Sequence, residues 1–321
     1  MLLVLTLVVG IAVSGNVSAQ SPSPSLPIMS DMAFGWVSMS GVDPTLDLLT
    51  SFAPTMLCVH DAGYQTGGEY TEGVFTFGKF TVVENFQSVI TDVGGGALRI
   101  SHYGYTSNSA ELPGIPGAKV QTNGDSIDMS YAQRFGKTTL GVTVIPQDNA
   151  DIQMNASGLA ITGTAATDIG ARLGAVQQLT NKVRVGLEYS YQKDTATLQL
   201  PVPLVPTPTT LSGHYLVRCG TAGASWQITT STKTYVAYQR LLGTGPDFLR
   251  EGNQTWCGVS QNITKSLSVS ANYFGGGQNC FISYRSKYGV FNIAYTHDAL
   301  NSARDFLGHG NALFAGIDLA I

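Results

Sequence analysis

From Val183 the chain alternates strictly. Val183, Val185, Leu187, Tyr189 and Tyr191 are apolar or aromatic, and Arg184, Gly186, Glu188, Ser190 and Gln192 stand between them. A period of two places the two sets on opposite faces of a β-strand. The pattern recurs in Ser266–Phe274, where Leu267, Val269, Ala271 and Tyr273 oppose Ser266, Ser268, Ser270 and Asn272. In Ser126–Phe135, Ile127, Met129, Tyr131 and Phe135 oppose Ser126, Asp128, Ser130 and Arg134. Near the end, Leu313, Ala315, Ile317, Leu319 and Ile321 oppose Phe314, Gly316 and Asp318. Strands are predicted near 97–106, 124–135, 138–146, 167–179, 182–197, 211–228, 232–242, 253–263, 266–274, 277–286, 288–297 and 310–321. Two more within 69–91 would raise the count from twelve to fourteen. Between 211 and 228 the apolar parity changes near Gly220, which predicts a bulge there.

The connections fall into two sets. Short ones are Phe135-Gly136-Lys137, Thr180-Asn181-Lys182, Thr229 to Lys233, Thr264-Lys265 and Ser286-Lys287. Long ones, at 107–123, 147–166, 198–210, 243–252 and 298–309, hold Pro, Gly, Asn and Asp. Tight turns alternating with long loops, on an even number of strands, is the layout of a transmembrane antiparallel β-barrel.

Composition decides what the apolar face meets. Charged residues make up 12% against 37 glycines, about half the ~25% charge of soluble domains. Past the first twenty residues, no stretch is apolar for the ~20 positions that a spanning helix needs. Tyr and Phe stand near the ends of many apolar faces, where an interfacial girdle would lie. The expectation is lipid outside, a wet lumen inside and an outer-membrane address. A net charge of −4 gives no footprint for nucleic acid.

Four segments follow along the chain. Residues 1–19 read as a signal peptide, with Val17-Ser18-Ala19 before a cleavage at Gln20, although no Lys or Arg precedes the apolar run. Residues 20–27 form a Ser/Pro linker. Residues 28–93 read as a plug- or hatch-like segment holding a short helix at Asp43–Leu49 and a hairpin around Val74–Val82, and 94–321 as the barrel.

Arg134, Arg184 and Arg285 lie on polar faces one or two residues from tight turns, with Arg172 and Glu188 higher and Asp318 on the last strand. These are candidates either for a charged constriction that selects a solute or for salt-bridged filling of a narrow barrel. Cys58, Cys219, Cys257 and Cys280 form no CxxC pair and no metal pattern. Cys257 and Cys280 sit on outward parity of strands two apart, so free thiols are expected. No cofactor and no metal is implied, and nothing bears on oligomeric state. His297 invites comparison with twelve-stranded outer-membrane phospholipases, whose nucleophilic Ser stands two residues after the His. Position 299 is Ala here, so no catalytic role is expected.

The ending Gly310-Asn311-Ala312-Leu313-Phe314-Ala315-Gly316-Ile317-Asp318-Leu319 resembles the last strand of the long-chain fatty-acid transporter family of Gram-negative bacteria, with Ile321 in place of that family's terminal Phe. Pro54 to Gly63 is similar in shape to its hatch motif, with His60, Asp61, Ala62 and Gly63 where the family has its Asn-Pro-Ala-Gly. The resemblance implies passive uptake of a small or hydrophobic solute by a barrel with an N-terminal hatch. A structural or adhesive barrel acting through its loops, or a secreted all-β binding protein, are the alternatives.

Overall fold

The computed structural model describes residue 55 and residues 63–75, 78–109, 119–156, 159–200, 209–245, 248–274, 277–297 and 309–320. Fourteen strands follow one another. The first seven are β1 (Gly63–Phe75), β2 (Gly78–Val93), β3 (Gly96–Ser109), β4 (Lys119–Phe135), β5 (Thr138–Ala156), β6 (Leu159–Gln178) and β7 (Val183–Leu200). The rest are β8 (Thr209–Gln227), β9 (Thr232–Gly245), β10 (Phe248–Asn262), β11 (Leu267–Phe274), β12 (Gly277–Arg285), β13 (Val290–His297) and β14 (His309–Ala320). Each pairs antiparallel with its sequence neighbours, and β1 pairs with β14 from Gly63↔Ala320 to Val74↔His309, which closes the barrel.

The hairpin expected within 28–93 therefore stands in the wall as β1 and β2, giving the fourteen-strand count. The signal peptide, the linker, the helix at Asp43–Leu49 and most of the hatch stretch lie outside the described residues; Thr55, within that stretch, is buried. The long loops expected at 147–166 and 243–252 are mostly ladder instead. β5 and β6 pair from Asn149↔Ala166 to Ala156↔Leu159, and β9 and β10 from Leu241↔Gly252 to Gly245↔Phe248. With 19 and 20 residues, β5 and β6 far exceed the ~10 that cross a bilayer. Their far halves stand above it.

At the tight-turn end one device repeats. Thr180, Thr229 and Thr264 each accept backbone N–H bonds from the residues two and three positions on, at 3.0–3.2 Å. The residue before each threonine donates its N–H to the first residue of the next strand (Leu179 to Val183, Ile228 to Thr232, Ile263 to Leu267). The hydroxyl thus replaces ladder partners that a turn cannot supply. Gly94 and Gly95 at φ 60° and 82° make the two-residue turn whose twist matches a hairpin.

The alternation is oriented as lipid requires. On β7, Leu187 is 63% exposed while the adjacent Glu188 is 8% exposed and faces the lumen. Outward aromatic side chains form two levels. Phe135, Trp226, Tyr284, Tyr288 and Phe291 lie at the turn end, and Tyr70, Tyr189, Tyr238, Tyr273 and Tyr295 some six or seven residues up their strands. Between them run Val142, Val144, Leu173, Leu187, Val236 and Ile293. Two aromatic girdles bounding an aliphatic band is the outer surface of a transmembrane barrel.

The expected bulge near Gly220 is absent: β8 keeps one register against β7 and β9 throughout. What changes at Gly220 is the surroundings. Below it the outward face carries Ala222, Ala224 and Trp226 and the inner face Thr221 and Ser225. Above it the outward face carries Arg218 and His214 while Val217 and Cys219 are buried inside. The strand leaves the membrane there, so its polarity inverts without a change of parity. Bulges occur elsewhere, between Ile127 and Met129 of β4 against β5, and between Thr167 and Ile169 of β6 against β7. Pro146 lies in the first, where the two-against-one count tolerates its missing N–H.

Candidate functional site

The lumen is lined unevenly. Its buried charged residues gather on β3–β7. Along one inward row, register pairs link Ile90, Arg99, Ser130, Thr143, Arg172, Ser190 and Cys219. Arg99, 0% exposed, donates from Nη2 to Ser130 Oγ at 3.2 Å, and the Ser130 and Thr143 hydroxyls are 2.8 Å apart. Asp128 lies one row above, and Glu188 one row below, diagonal to Arg172 across the β6–β7 ladder. Cations and carboxylates thus alternate up one wall. Among the described residues, neither Asp128 oxygen, nor Arg99 Nε and Nη1, has a hydrogen-bond partner. Buried charge is costly unless satisfied, so opposite charges packed within one wall offset part of each other's cost.

Above this row the bulges of β5 and β6 set a polar shelf. Gln192 Nε2 donates to Asp148 Oδ2 at 3.2 Å and to Asp194 Oδ1 at 3.1 Å, and the Thr167 hydroxyl donates to Asp194 Oδ1 at 2.6 Å. One amide and one hydroxyl hold two interior carboxylates together. Above and beside the shelf the inner face is mostly apolar: Ile145, Ala150, Ile152, Ala196 and Val217 are all buried, and Thr122 is buried opposite Ile152. Outside, at the same height, stand Asn149, Asp151, Lys193, Thr195 and His214. The upper wall is polar outside and apolar inside, the reverse of the wall within the membrane.

The opposite wall, β9–β13, is different again. Its buried inward side chains, Tyr235, Ala237, Gln239, Ser270, Asn272, Phe281, Ser283, Asn292 and Ala294, are uncharged, and Lys233 stands near the turn end of the row that holds Ser270 and Phe281. Tyr235 donates its hydroxyl to Asn272 Oδ1 at 3.1 Å, and Gln239 Nε2 to Thr221 Oγ1 at 3.4 Å. The buried charges of the lumen are concentrated on one side, and the buried groups opposite are neutral.

The sequence candidates divide between these regions. Arg172, Arg184 and Glu188 all face inward on β6 and β7. Arg134, Arg184 and Arg285 sit at the turn end of β4, β7 and β12, three and five strands apart, so they surround the mouth rather than meet at one constriction. Arg134 is spent locally, donating from Nε to Gly136 O at 3.0 Å and from Nη2 to Gln178 Oε1 at 3.4 Å. Asp318 occupies the inward row that includes Gln65 and Val290. Gly63 opens β1, while His60, Asp61 and Ala62 lie outside the described residues. His297 faces outward, its Nδ1 3.0 Å from Asn311 Oδ1, and with Ala at 299 the pair has no hydroxyl to activate.

Arg99, Asp128 and the Asp148–Asp194 shelf were not among the candidates. Arg99 meets Ser130 from 31 positions away, and Asp148 meets Gln192 from 44 positions away, so neither contact has a local signature. Inward parity combined with charge was the available signal.

No family model and no curated protein sequence matches the chain. Solved structures do. The chain is similar to a FadL homologue of Pseudomonas aeruginosa at 12% identity, covering 92% of this chain and 99% of that one, with a TM-score of 0.59. It is similar to the toluene transporter TbuX of Ralstonia pickettii (14% identity, 84% and 92% covered, TM-score 0.55). It is likewise similar to the toluene transporter TodX of Pseudomonas putida (13% identity, 83% and 90% covered, TM-score 0.54). Identities this low speak for the fold, and the chain has the barrel fold of these transporters, as its ending implied.

Proposed function

We propose that the chain is an outer-membrane transport barrel through which a hydrophobic solute enters passively. The observation that carries this is the inversion of polarity above the membrane. A wall standing in water gains from polar residues outside, and Ile145, Ile152, Ala196 and Val217, buried inside, make the interior at that height a medium that an apolar guest enters at less cost than a polar one. Similarity in fold to two toluene transporters agrees with the reading. The solute would leave bulk water for the upper interior and meet the shelf and the charged wall below, which disfavour deep apolar capture and favour release. Substituting Val217→Glu puts a charge into the apolar section. It is expected to lower uptake of a hydrophobic probe into vesicles carrying the barrel by about tenfold or more, with assembly intact. Uptake that is unchanged would overturn the reading. A hatch adds a second test: deleting residues 28–62, short of β1, raises planar-bilayer conductance if that segment obstructs the lumen.

The height of β5–β8, with Asp151, Lys193 and His214 displayed outside, favours an adhesive barrel as the second reading. It predicts neither uptake nor conductance in either form.

A further inference from the structure

Outside the lumen, one sector of the wall departs from a plain apolar belt. The outward face of β5–β9 carries a groove of about 630 Å3. Leu173, Leu187 and Tyr238 wall it, Gly220 and Ala222 leave its floor low, and Arg240 stands in its lining. Between the outward residues, Glu188 and Thr221 turn their side chains into the lumen, so the floor there is backbone. Gly220 pairs with Arg240 across the β8–β9 ladder, and Arg218 is the next outward residue up β8. Two guanidinium-bearing residues are thus diagonal neighbours, Arg240 in the row of Tyr189 and Arg218 one row further up. The Arg218 guanidinium lies 6.0 Å from the Tyr191 ring centre. The outward carboxylate of β6, Asp168, pairs with Lys193 at 3.4 Å, and Glu251 shares Arg218's row across Leu242, so two arginines stand against one further acidic position.

We propose that this groove, together with Arg218 and Arg240, binds an anionic lipid through its phosphate. One acyl chain lies along the floor over Gly220 and Ala222, and the headgroup phosphate meets the two arginines. Charge complementarity selects the occupant. An apolar furrow alone would accept any chain from the bilayer, whereas guanidinium groups at headgroup depth favour a phosphate with net negative charge. The small residues matter because a larger side chain at position 220 or 222 would lift the chain off the wall.

The full-length barrel, purified in a neutral detergent and stripped of lipid, tests this by native mass spectrometry with added phosphatidylglycerol or phosphatidylcholine. Preferential retention of phosphatidylglycerol is expected. Replacing each arginine by glutamine lowers its apparent affinity about fivefold, and Arg218→Lys with Arg240→Lys preserves most of it. Ala222→Trp, which fills the floor and keeps both charges, also lowers retention. Heat-modifiable mobility on unboiled gels establishes that each variant is assembled. Equal retention of the two lipids would overturn the proposal. So would retention unaffected by Ala222→Trp, complete displacement of phosphatidylglycerol by millimolar inorganic phosphate, or a dimer that excludes lipid from the groove.

Discussion

Placing an arginine at Leu187 is the most direct challenge to the orientation of the wall. Leu187 lies outward on β7 between Val185 and Tyr189, is 63% exposed, and sits in the aliphatic band below the upper girdle. An arginine there must snorkel or thin the bilayer, and for outer-membrane barrels that costs about 2–4 kcal/mol at midplane depth. At 1.36 kcal/mol per factor of ten, the folding equilibrium constant falls by roughly 30- to 1,000-fold. Thr197 is the depth control. It faces outward on the same strand, ten residues on, beyond the girdle, and makes only a 3.5 Å contact with Ser212. Thr197→Arg is expected to cost within about 1 kcal/mol. Urea titration of the barrel in phospholipid vesicles, followed by tryptophan fluorescence and unboiled gel mobility, reads both. Equal costs at the two positions, or a cost under about 1 kcal/mol at Leu187, would refute the claim that this face meets lipid.

Other consequences are separable. Arg184→Ala removes a charge from the mouth and should shift the ion selectivity of any conductance without loss of assembly; an unchanged reversal potential argues against a gating role for that ring. Cys257 and Cys280 are free, face outward on β10 and β12, and are separated by β11. Both should react with a membrane-partitioning maleimide, and Cys219, a buried thiol outside any disulfide, should not until the barrel is unfolded. Gly136, at φ 61°, should lose about 1–2 kcal/mol on replacement by valine, read as a lowered urea midpoint.

Local pattern and tertiary placement contributed differently to what could be read beforehand. The strands, their inward and outward faces and the tight turns follow from a two-residue period and from Gly, Thr and Lys at the breaks. The polarity inversion was misread as a bulge because alternation reports only which side is apolar. It cannot say whether that side meets lipid, water or a guest. Pro146 was taken as a strand end on sound local grounds, and β5 continues only because the opposing ladder accommodates an unpaired residue. In the Asp148–Asp194 shelf, Asp148 on β5 is met by Gln192 of β7, and no local signal reports a pairing 44 positions long. Arg99 stood in plain view on an inward position, yet its environment is set by Ser130 and Thr143.

The seam between β1 and β14 governs how such a wall can come into being. Gly63 meets Ala320, so closure joins the two ends of the entire wall. Tying a flexible chain across those 257 positions costs roughly 5 kcal/mol in loop entropy, offset only once every intervening hairpin is formed. The seam supplies little side-chain instruction of its own, since Gly67 faces Gly316 and Gly73 faces Gly310, and glycine-rich edges specify register weakly. A nascent sheet therefore carries two open edges, each a template for a neighbouring chain, until the last strand is made. Assembly of this barrel is a race between annealing its own seam and annealing to another molecule, and the C-terminal strand decides the winner.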